Sequence, residues 1–222
     1  MTARRTPGSG DAMWNFEDRA DAGRELAREL THRAHEDCVV LGLPRGGVPV
    51  AAEVARALAA PLDVLIVRKV GAPGHPEVAM GAVGEDDAVV RNAGVISITG
   101  ADEATLAAAE QRERAEVERR SRMLREGRAA EPIEGRVAII VDDGIATGAT
   151  MRTACAIARA RGASHVVVAV PVAAPDALGQ LTDADEVVCL CAPRDFMAVG
   201  MYYTDFRQTS EDEVVRLLAA AR

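Results

Sequence analysis

The residues best suited to chemistry follow the most apolar segment of the chain. That segment, 136–141, reads RVAIIV, and directly after it come Asp142 and Asp143 and a glycine-bracketed loop that carries Thr147 and Thr150. Glycines let backbone N–H groups converge on an anion, and the start of a following helix adds partial positive charge. Two carboxylates beside such a loop can accept hydrogen bonds from the vicinal hydroxyls of a sugar. The pattern therefore indicates a site for a sugar 5-phosphate.

Other phosphate-binding loops do not fit these residues. No lysine follows Gly148, so the loop is not a P-loop, and it also lacks the GxGxxG spacing. The earlier segment 42–47, GLPRGG, fails both tests, because Val48 stands where a P-loop has its lysine. An ordinary strand–turn–helix junction with a threonine cap would explain the glycines and threonines of 142–150. It would not explain two acids at the end of an apolar strand.

The composition excludes several classes of protein. The 222 residues include 49% hydrophobic and 27% charged residues, which is too apolar for an intrinsically disordered chain. The net charge of −8 argues against a protein that coats nucleic acid, and the 3% aromatic share leaves few stacking platforms for single strands. No segment approaches the ~20 apolar residues of a membrane helix. We therefore expect a globular protein with neither a nucleic-acid nor a membrane partner.

The N-terminal segment and the cysteines indicate in which cellular compartment the protein is expected. Segment 1–13 contains Thr, Pro, Gly and Ser without an apolar core, so we expect a flexible N-terminus rather than a signal peptide. Cys38 and Cys155 lie in apolar runs, whereas Cys189 and Cys191 alternate on one predicted strand. This is neither a CxxC pair nor a zinc spacing, and buried free thiols indicate a cytoplasmic protein.

Apolar runs alternate with helical patterns along most of the chain. Strands are predicted at 38–43, 62–70, 79–83, 88–90, 95–98, 136–141, 165–170 and 186–191. Helices are predicted at 16–30, 48–58, 102–128, 148–161 and 176–181, and after the capping box that begins at Ser210. The alternation predicts one α/β domain over 14–222, with a mostly parallel twisted sheet and helices on both faces. Glu and Arg residues four apart make 102–128 a long exposed helix, and 192–209 forms a small appendage with the N-terminal helix.

The segment 137–150, VAIIVDDGIATGAT, resembles the phosphoribosyl pyrophosphate (PRPP) binding motif of type I phosphoribosyltransferases. Three further segments resemble a subgroup of these proteins whose base is unassigned: LGLPRGGVPVA (41–51), RKVGAPGHPEVAMGAV (68–83) and APRDFMAVGMYYTDF (192–206). In order and spacing, the likeness runs from about residue 16 to the end of the sequence. It implies the Rossmann-like fold of that family, with 192–209 as a hood over the base.

The resemblance implies a role for each residue of the motif. Asp142 and Asp143 would bind the ribose 2- and 3-hydroxyls, and the loop after them would hold the 5-phosphate through backbone amides and two hydroxyls. That loop consists of Gly144, Ile145, Ala146, Thr147, Gly148, Ala149 and Thr150. The family's pyrophosphate loop, which often contains a non-proline cis peptide, matches Arg45, Gly46 and Gly47. We expect the cis bond at Pro44–Arg45 or Arg45–Gly46.

Two basic residues and a mobile loop are also implied. Arg68 and Lys69 end the second predicted strand, where adjacent residues face opposite ways, so one of them is expected to reach PRPP. A basic cap on a surface strand is the alternative. Segment 71–78, GAPGHPEV, resembles the family's mobile loop that closes over the site, although glycine and proline also occur in ordinary turns. His75 and Glu77 in this loop are candidates for an acid or a base.

The hood segment holds four of the six aromatic residues of the chain, Phe196, Tyr202, Tyr203 and Phe206. Such concentration of a scarce residue type suits stacking on a planar base. A local aromatic core under a loop would explain the same cluster. The expected base-binding set is Phe196, Tyr202, Tyr203 and Asp205.

The implied reaction is displacement of pyrophosphate from C1 of PRPP by a nucleobase nitrogen, as in nucleotide salvage. The expected catalytic residues are Asp142, Asp143, Arg45 and Lys69, and Mg²⁺ would bridge pyrophosphate and ribose oxygens and contact the two aspartates through water. The implied partners are PRPP, a nucleobase and a second copy of the chain in a homodimer. The alternative is a regulatory protein of the same fold that binds PRPP or a nucleotide without chemistry. A PRPP-synthesising kinase is disfavoured, because 222 residues leave little room for its ATP site.

Overall fold

The computed structural model describes residues 3–5 and 15–221, with the backbone alone for 3–5, Pro76 and Glu77. The described residues form nine strands: β1 Ala3–Arg5, β2 Cys38–Gly42, β3 Leu62–Val64, β4 Arg68–Ala72, β5 His75–Val83, β6 Val89–Arg91, β7 Val137–Val141, β8 His165–Val172 and β9 Glu186–Cys191. They form seven α-helices: α1 Arg19–Leu30, α2 Gly47–Leu58, α3 Ala93–Thr99, α4 Glu103–Arg125, α5 Ala149–Ala160, α6 Pro175–Leu178 and α7 Glu211–Ala220. Short 3₁₀ helices span Thr31–Arg33 and Val199–Tyr202.

Within the described residues, six strands form a parallel sheet in the order β1-β9-β8-β7-β2-β3. In β2 and β7, successive side chains enter opposite layers, as the pleat requires. Val40 and Ile139 pack with α1, α2 and α7, whereas Val39 and Ile140 pack with α5 and α6. The predicted α/β fold, a mostly parallel sheet with helices on both faces, is confirmed.

The strand order reverses between β2 and β7. The chain passes from β2 through α2 to β3 on one side, and the later strand β7 lies on the other side of β2. The helices after β2 and β7 therefore cover opposite faces of the sheet, and the loops that lead into them run toward opposite faces after they leave the strand ends. Ligands of open α/β sheets bind in the resulting crevice, beyond the carboxyl ends of the strands. The fold thus places a site where β2 and β7 end, at Gly42 and Val141.

A second sheet is antiparallel and consists of β4, β5 and β6. The predicted strand 62–70 is divided between the two sheets, because β3 pairs with β2 and β4 pairs with β5. The predicted loop 71–78 is largely a hairpin whose turn is Pro73 and Gly74, with φ of +74° at the glycine. The secondary structure predicted for this segment was wrong, while its role as a lid stays a prediction.

The predicted strand at 95–98 is also wrong, since these residues lie in helix α3. Asn92 caps this helix, its side-chain oxygen accepting from the backbone N–H of Val95 at 3.2 Å. Gly100 ends it in the left-handed conformation. These two local signals outweigh the strand preference of the β-branched residues between them.

Helix α4 confirms the predicted helix but is less exposed than predicted for 102–128. Leu106, Ala109, Val117 and Leu124 lie on one face and are buried in the core. The helix packs on β4 and β5 through this face. The helix was predicted to be exposed, and this is wrong for one of its faces, because four apolar residues at helical spacing are enough to bury one side of a charged helix.

Charged residues of α4 hold it to the small sheet and the turn beside it. Glu110 and Arg114, which their spacing predicts to pair with each other, bind elsewhere: Glu110 accepts from Arg91 at 2.7 Å, and Arg114 donates to Asp87 at 2.7 Å. At the end of the helix, the Arg125 side chain is only 3% exposed. It donates to Asp63 at 2.7 Å and forms a second ion pair with Glu85.

The segment before α1 pairs with the hood. The N–H of Phe16 donates to the carbonyl of Tyr202, and the N–H of Thr204 donates to the carbonyl of Phe16, both at 2.8 Å. Within the predicted flexible N-terminus 1–13, the backbone of β1 pairs with β9, and the other residues lie outside the described part of the chain. All four cysteines are free thiols, three of them buried. Among the described helices, none has the length and hydropathy that crossing a membrane requires.

Candidate active site

The loops that follow β2 and β7 touch at the crevice. The N–H of Leu43 donates to the carbonyl of Val141 at 2.9 Å, which holds the two loops together. A Cβ atom at Gly47 would lie 2.5 Å from that same carbonyl oxygen, and one at Gly46 would lie 2.1 Å from Oδ2 of Asp143. Only glycine fits at both positions, so the glycines predicted for the pyrophosphate loop are required by close approach to the predicted ribose site.

Arg45 begins this loop on the crevice side. The peptide bond Pro44–Arg45 is cis, which confirms one of the two predicted positions. The Arg45 side chain is half-buried, and among the described residues it has neither an ion-pair nor a hydrogen-bond partner. A half-buried guanidinium without a carboxylate partner suits an anionic ligand, because its planar fork of donors matches phosphate oxygens.

Asp142 and Asp143 each keep one carboxylate oxygen without a donor. Oδ1 of Asp142 accepts from the N–H of Asp143 at 2.9 Å, and Oδ2 of Asp143 accepts from Arg19 at 2.8 Å. No other described residue donates to Oδ2 of Asp142 or to Oδ1 of Asp143. Burial raises the pKa of both carboxyls, the neighbouring Asp143 raises that of Asp142 further, and Arg19 opposes the rise at Asp143. Two oxygens on adjacent residues thus remain for a diol or a cation.

The loop 144–150 forms a nest of backbone amides in front of α5. Gly148 adopts φ of +72°, which turns the chain into the helix. The amides of Ala146, Thr147 and Gly148 donate to no described residue, and Thr150 contributes one of the unpaired amides of the first helical turn. Such a helix start binds phosphate through its N–H groups and its dipole.

Ile145 is an exception among the predicted phosphate-binding residues. Its N–H donates to the carbonyl of Val172 at 2.9 Å, and its carbonyl accepts from the N–H of Ala174 at 2.8 Å. Its side chain is buried at 3% exposure. The predicted role of Ile145 was therefore wrong, since both its backbone groups and its side chain anchor the loop to the end of β8.

Arg152 is a site residue that the sequence analysis missed. From the first turns of α5 its guanidinium donates to the carbonyl of Thr147 at 3.2 Å and to Gln180 at 2.8 Å. The side chain would lie 3.2 Å from a Cβ at Gly148, so it brings a positive charge to the amide nest. Its position four residues after Gly148, one helical turn into the phosphate-binding helix, is a signal that could have identified it.

The two predicted basic residues of β4 line a separate open cleft of about 820 Å³. This cleft lies between the hairpin, α4 and α5, and Thr150 also lines it. Arg68 is paired with Glu113 at 2.9 Å, whereas Lys69 is exposed and has no partner among the described residues. Arg112 of α4 is an exposed cation on the same cleft that the sequence analysis did not select.

The remaining sequence-predicted groups fall outside this cleft. Arg45 and the two aspartates do not line it, and the loop 144–150 connects them to it through Thr150. His75 is exposed at the start of β5 in the hairpin, and the side chain of Glu77 lies outside the described residues. The structure therefore brings the predicted PRPP residues to two adjoining surfaces, one at the sheet crevice and one beneath the hairpin.

Two of the four predicted base-binding residues, Phe196 and Tyr202, keep partly exposed rings in the hood. Phe196 and Tyr202 stack with their ring centroids 6.0 Å apart and their planes 9° apart, and both are half-buried. Tyr203 is only 6% exposed, its ring packs against Phe16 and Phe206, and its hydroxyl donates to the carbonyl of Asp143 at 2.7 Å. The prediction of Tyr203 as a base-stacking residue was wrong, because its ring belongs to the aromatic core of the hood.

Asp205 is likewise engaged within the hood. Arg207 donates to both of its carboxylate oxygens, at 2.9 Å and 2.6 Å. These hydrogen bonds lower the pKa of Asp205 to about 2. The carboxylate that was predicted to belong to the base-binding set is therefore held by a neighbouring guanidinium.

Arg19 links the hood to the crevice, and the sequence analysis missed it. Its guanidinium lies 4.1 Å from the centroid of the Phe206 ring, donates to the carbonyl of Arg207 at 2.7 Å and binds Oδ2 of Asp143 at 2.8 Å. The side chain is 11% exposed. A cation in the first turn of a helix is disfavoured by the helix dipole, so its place at the start of α1 was the available signal.

Comparison with known proteins agrees with this geometry. The family model described as "Phosphoribosyl transferase domain" matches residues 15–204. Two curated proteins, of Mycobacterium tuberculosis strains CDC 1551 and H37Rv, named "Putative phosphoribosyl transferase MT0597" and "Putative phosphoribosyl transferase Rv0571c", are each 54% identical over 207 residues. These residues are 93% of this chain and 47% of each relative, so the chain spans about half their length.

A solved structure supports the same assignment. The crystal structure of TT1426 from Thermus thermophilus superposes with a TM-score of 0.84 and 46% sequence identity. The match covers 92% of this chain and 97% of that chain. The matched family model covers the crevice, the amide nest and most of the hood. The chain belongs to the phosphoribosyl transferase family.

Proposed function

We propose that this protein transfers the 5-phosphoribosyl group of PRPP to a nitrogen of a nucleobase or related acceptor and releases pyrophosphate. One observation carries the proposal. At the switch point of the sheet, Asp142 and Asp143 each present a carboxylate oxygen to which no described residue donates, beside the amide nest in front of α5 and an Arg45 side chain that has no partner in the described part of the chain. A diol acceptor, a phosphate nest and a free guanidinium match the three polar parts of PRPP.

In this proposal the ligand is held by three groups of contacts. The ribose hydroxyls donate to Oδ2 of Asp142 and Oδ1 of Asp143. The 5-phosphate accepts from the amides of 146–150 and is favoured by the dipole of α5. The pyrophosphate is bound by Arg45, and Lys69 contributes from the cleft beneath the hairpin as a point charge.

The reaction itself requires no nucleophile from the protein. The lone pair of an acceptor nitrogen forms a bond to C1, and the bond from C1 to the pyrophosphate oxygen breaks, with the electron pair leaving on pyrophosphate. Where the acceptor nitrogen carries a proton, that proton passes to solvent or to the departing pyrophosphate. Positive charge develops on the ribose, and the two adjacent carboxylates stabilise it from fixed positions. The remaining work is orientation of the two reactants and exclusion of water, which the hairpin would provide by closing over the cleft.

Mg²⁺ is part of the proposal as a companion of PRPP. The described residues contain no cluster of three His, Cys, Asp or Glu side chains that could hold a metal by themselves. The two carboxylate oxygens without donors still suit a hard cation whose other ligands come from PRPP. Asp142 and Asp143 would hold the cation through water. When bound, Mg²⁺ would neutralise negative charge on the leaving pyrophosphate.

The hood supports a planar acceptor through Phe196 and Tyr202, which form the only half-buried aromatic stack among the described residues. Aromatic faces of this kind stack on the ring of a base. A role in nucleotide salvage, a homodimeric assembly and a cytoplasmic location complete the proposal. The regulatory alternative shares the PRPP contacts and differs in having no acceptor.

The test is a transfer assay with isotopically labelled PRPP, Mg²⁺ and a panel of purine and pyrimidine bases. We expect pyrophosphate release that depends on one base or one class of bases. Asp143→Asn should reduce turnover and weaken PRPP binding without loss of the fold, and Asp183→Asn, which alters an exposed carboxylate in a turn, should leave both unchanged. Equal kinetics of Asp143→Asn and wild type would contradict the ribose assignment.

The same measurements separate the enzyme from the regulatory alternative. A regulatory protein would be stabilised against heat by PRPP with Mg²⁺, yet would release no pyrophosphate with any acceptor. Absence of any thermal shift with PRPP would contradict both functions.

A further inference from the structure

Arg19 is the one cation among the described residues that contacts a predicted ribose-binding carboxylate. Its Nε and a terminal nitrogen both reach Oδ2 of Asp143 at 2.8 Å, and its other terminal nitrogen donates to the carbonyl of Arg207. The flat face of the guanidinium lies over the Phe206 ring. One side chain of α1 is therefore bound to the ribose site and to the hood at the same time.

These contacts restrict the side-chain motion of both Arg19 and Asp143. The guanidinium is held on three sides by a carboxylate, a carbonyl and an aromatic ring, and only 11% of the side chain is exposed. Asp143 is 16% exposed, and Gly46 leaves just enough room for its Oδ2. Tyr203 fixes the backbone of Asp143 through its carbonyl. A side chain held in this way is suited to orient the carboxylate rather than to swing in and out as a gate.

The two oxygens of Asp143 are consequently unequal. Arg19 occupies Oδ2, whereas Oδ1 has no donor among the other described residues. A carboxylate pinned by one oxygen presents the other in a fixed direction, which reduces the entropy lost when a ligand binds. The adjacent carboxylate of Asp142 has no comparable cation, so Arg19 also offsets the repulsion between the two acids.

We propose that Arg19 is a positioning residue that aims Oδ1 of Asp143 at the ribose and transmits PRPP binding to the hood. The proposal rests on the proposed function, because it takes the ribose of PRPP as the ligand of Asp143. It follows that a ligand on Oδ1 restricts the motion that Asp143 still retains, and that the same guanidinium extends this restriction to the segment 205–207. Binding at the ribose site and order in the hood are then linked reciprocally.

The test compares three variants of the full chain with wild type. Arg19→Ala removes all the contacts, and Arg19→Lys keeps the charge but cannot bind Asp143 and the Arg207 carbonyl while stacking on Phe206. Arg24→Ala is the matched control, since it removes an exposed arginine of the same helix whose one ion-pair partner among the described residues is Asp21. Calorimetric titration with PRPP and Mg²⁺ measures affinity, and hydrogen–deuterium exchange of the hood peptides is measured with and without this ligand.

We expect Arg19→Ala to weaken PRPP binding about tenfold or more, because it deletes a charge-assisted pair at the ligand. Arg19→Lys should recover only part of this loss, and Arg24→Ala should stay within about twofold of wild type. PRPP should slow exchange in the hood of wild type and of Arg24→Ala, but not in either Arg19 variant. Without ligand, Arg19→Ala should already exchange faster than wild type around 203–207.

Each contrary result has a definite meaning. Wild-type affinity in Arg19→Ala overturns the positioning role, and tighter binding would make Arg19 a competitor of the ribose. Full recovery of affinity and of hood protection by Arg19→Lys would reduce its role to charge alone and also overturn the proposal. If the wild-type protein binds no PRPP, the proposed function fails. The exchange rates without ligand still test whether Arg19 links Asp143 to the hood, because equal hood exchange rates in Arg19→Ala and wild type would overturn that link.

Discussion

The contact between Gly46 and Asp143 provides a stringent test of the site. In Gly46→Ala the new Cβ would lie 2.1 Å from Oδ2 and 2.8 Å from Cγ of Asp143, whereas real Cβ atoms essentially never approach closer than 3.0 Å. The carboxylate must therefore retreat by about 0.9 Å. Residue 46 has φ of −63° and ψ of −33°, which alanine adopts freely, so the effect is steric and does not arise from the backbone conformation.

The magnitude follows from the hydrogen bonds that the displacement disrupts. Nε of Arg19 already lies 3.4 Å from the position of the new Cβ, so the guanidinium cannot move into that space to follow the carboxylate. A hydrogen bond between charged groups contributes about 1.5–3 kcal/mol. If the displaced Asp143 can no longer form such a hydrogen bond with the ribose, the affinity for PRPP with Mg²⁺ falls about 10- to 150-fold.

The assay is calorimetric titration of PRPP with Mg²⁺, accompanied by thermal unfolding of each variant. Gly94→Ala is a suitable control, because a Cβ there meets only a side-chain oxygen of Asn92 at 3.5 Å and the residue lies in helix α3. The control should bind PRPP as wild type does. A folded Gly46→Ala protein with affinity within twofold of wild type would refute the claim that the position of Asp143 controls ribose binding.

Three further predictions concern the fold around the site. Arg125→Ala should lower the free energy of unfolding by about 3–5 kcal/mol in chemical denaturation, because it leaves the buried carboxylates of Asp63 and Glu85 without their ion-pair partner. The exposed control, Arg122→Ala, should change this free energy by under about 1 kcal/mol. Equal effects of the two variants would contradict the buried ion-pair network. Tyr203→Phe should cost about 0.5–1.5 kcal/mol through loss of the bond to the Asp143 carbonyl, and unchanged stability in thermal scans would count against that bond. Burial raises the pKa of the three buried thiols, so their thiolate fraction at pH 8 is low. A thiol reagent should therefore rapidly modify at most Cys191 in the native protein, and all four cysteines in denaturant. Rapid reaction of several native thiols would contradict their burial.

The local pattern of the sequence was sufficient for the main sheet and for the centre of the site. Short uninterrupted apolar runs such as 137–141, rich in β-branched residues, are typical of strands covered on both faces, and their alternation with helical patterns predicts a parallel sheet. The acids after that run and the glycines before α5 mark a strand-to-helix junction whose free amides suit a phosphate. The position of the cis peptide at Pro44–Arg45 was predicted to within one bond from the family resemblance.

Predictions failed where a residue's role depends on a distant neighbour. Ile145 lies inside the motif, yet its amide is taken by Val172 of the adjacent strand. Tyr203 lies in the aromatic segment, yet its ring is covered by Phe16 from the opposite end of the chain. Helix α4 has the charges of an exposed helix, yet the small antiparallel sheet buries one of its faces.

The sequence by itself determined the class of fold, the family and the residues of the crevice, because these depend on periodicity and on a contiguous motif. The tertiary structure alone decided that Arg19 binds Asp143, 124 residues away in the chain, and that this side chain links the hood to the predicted ribose site. Such a contact produces no periodic pattern in the sequence. It forms only because the strand order and the hood bring two distant backbone segments close enough for their side chains to meet.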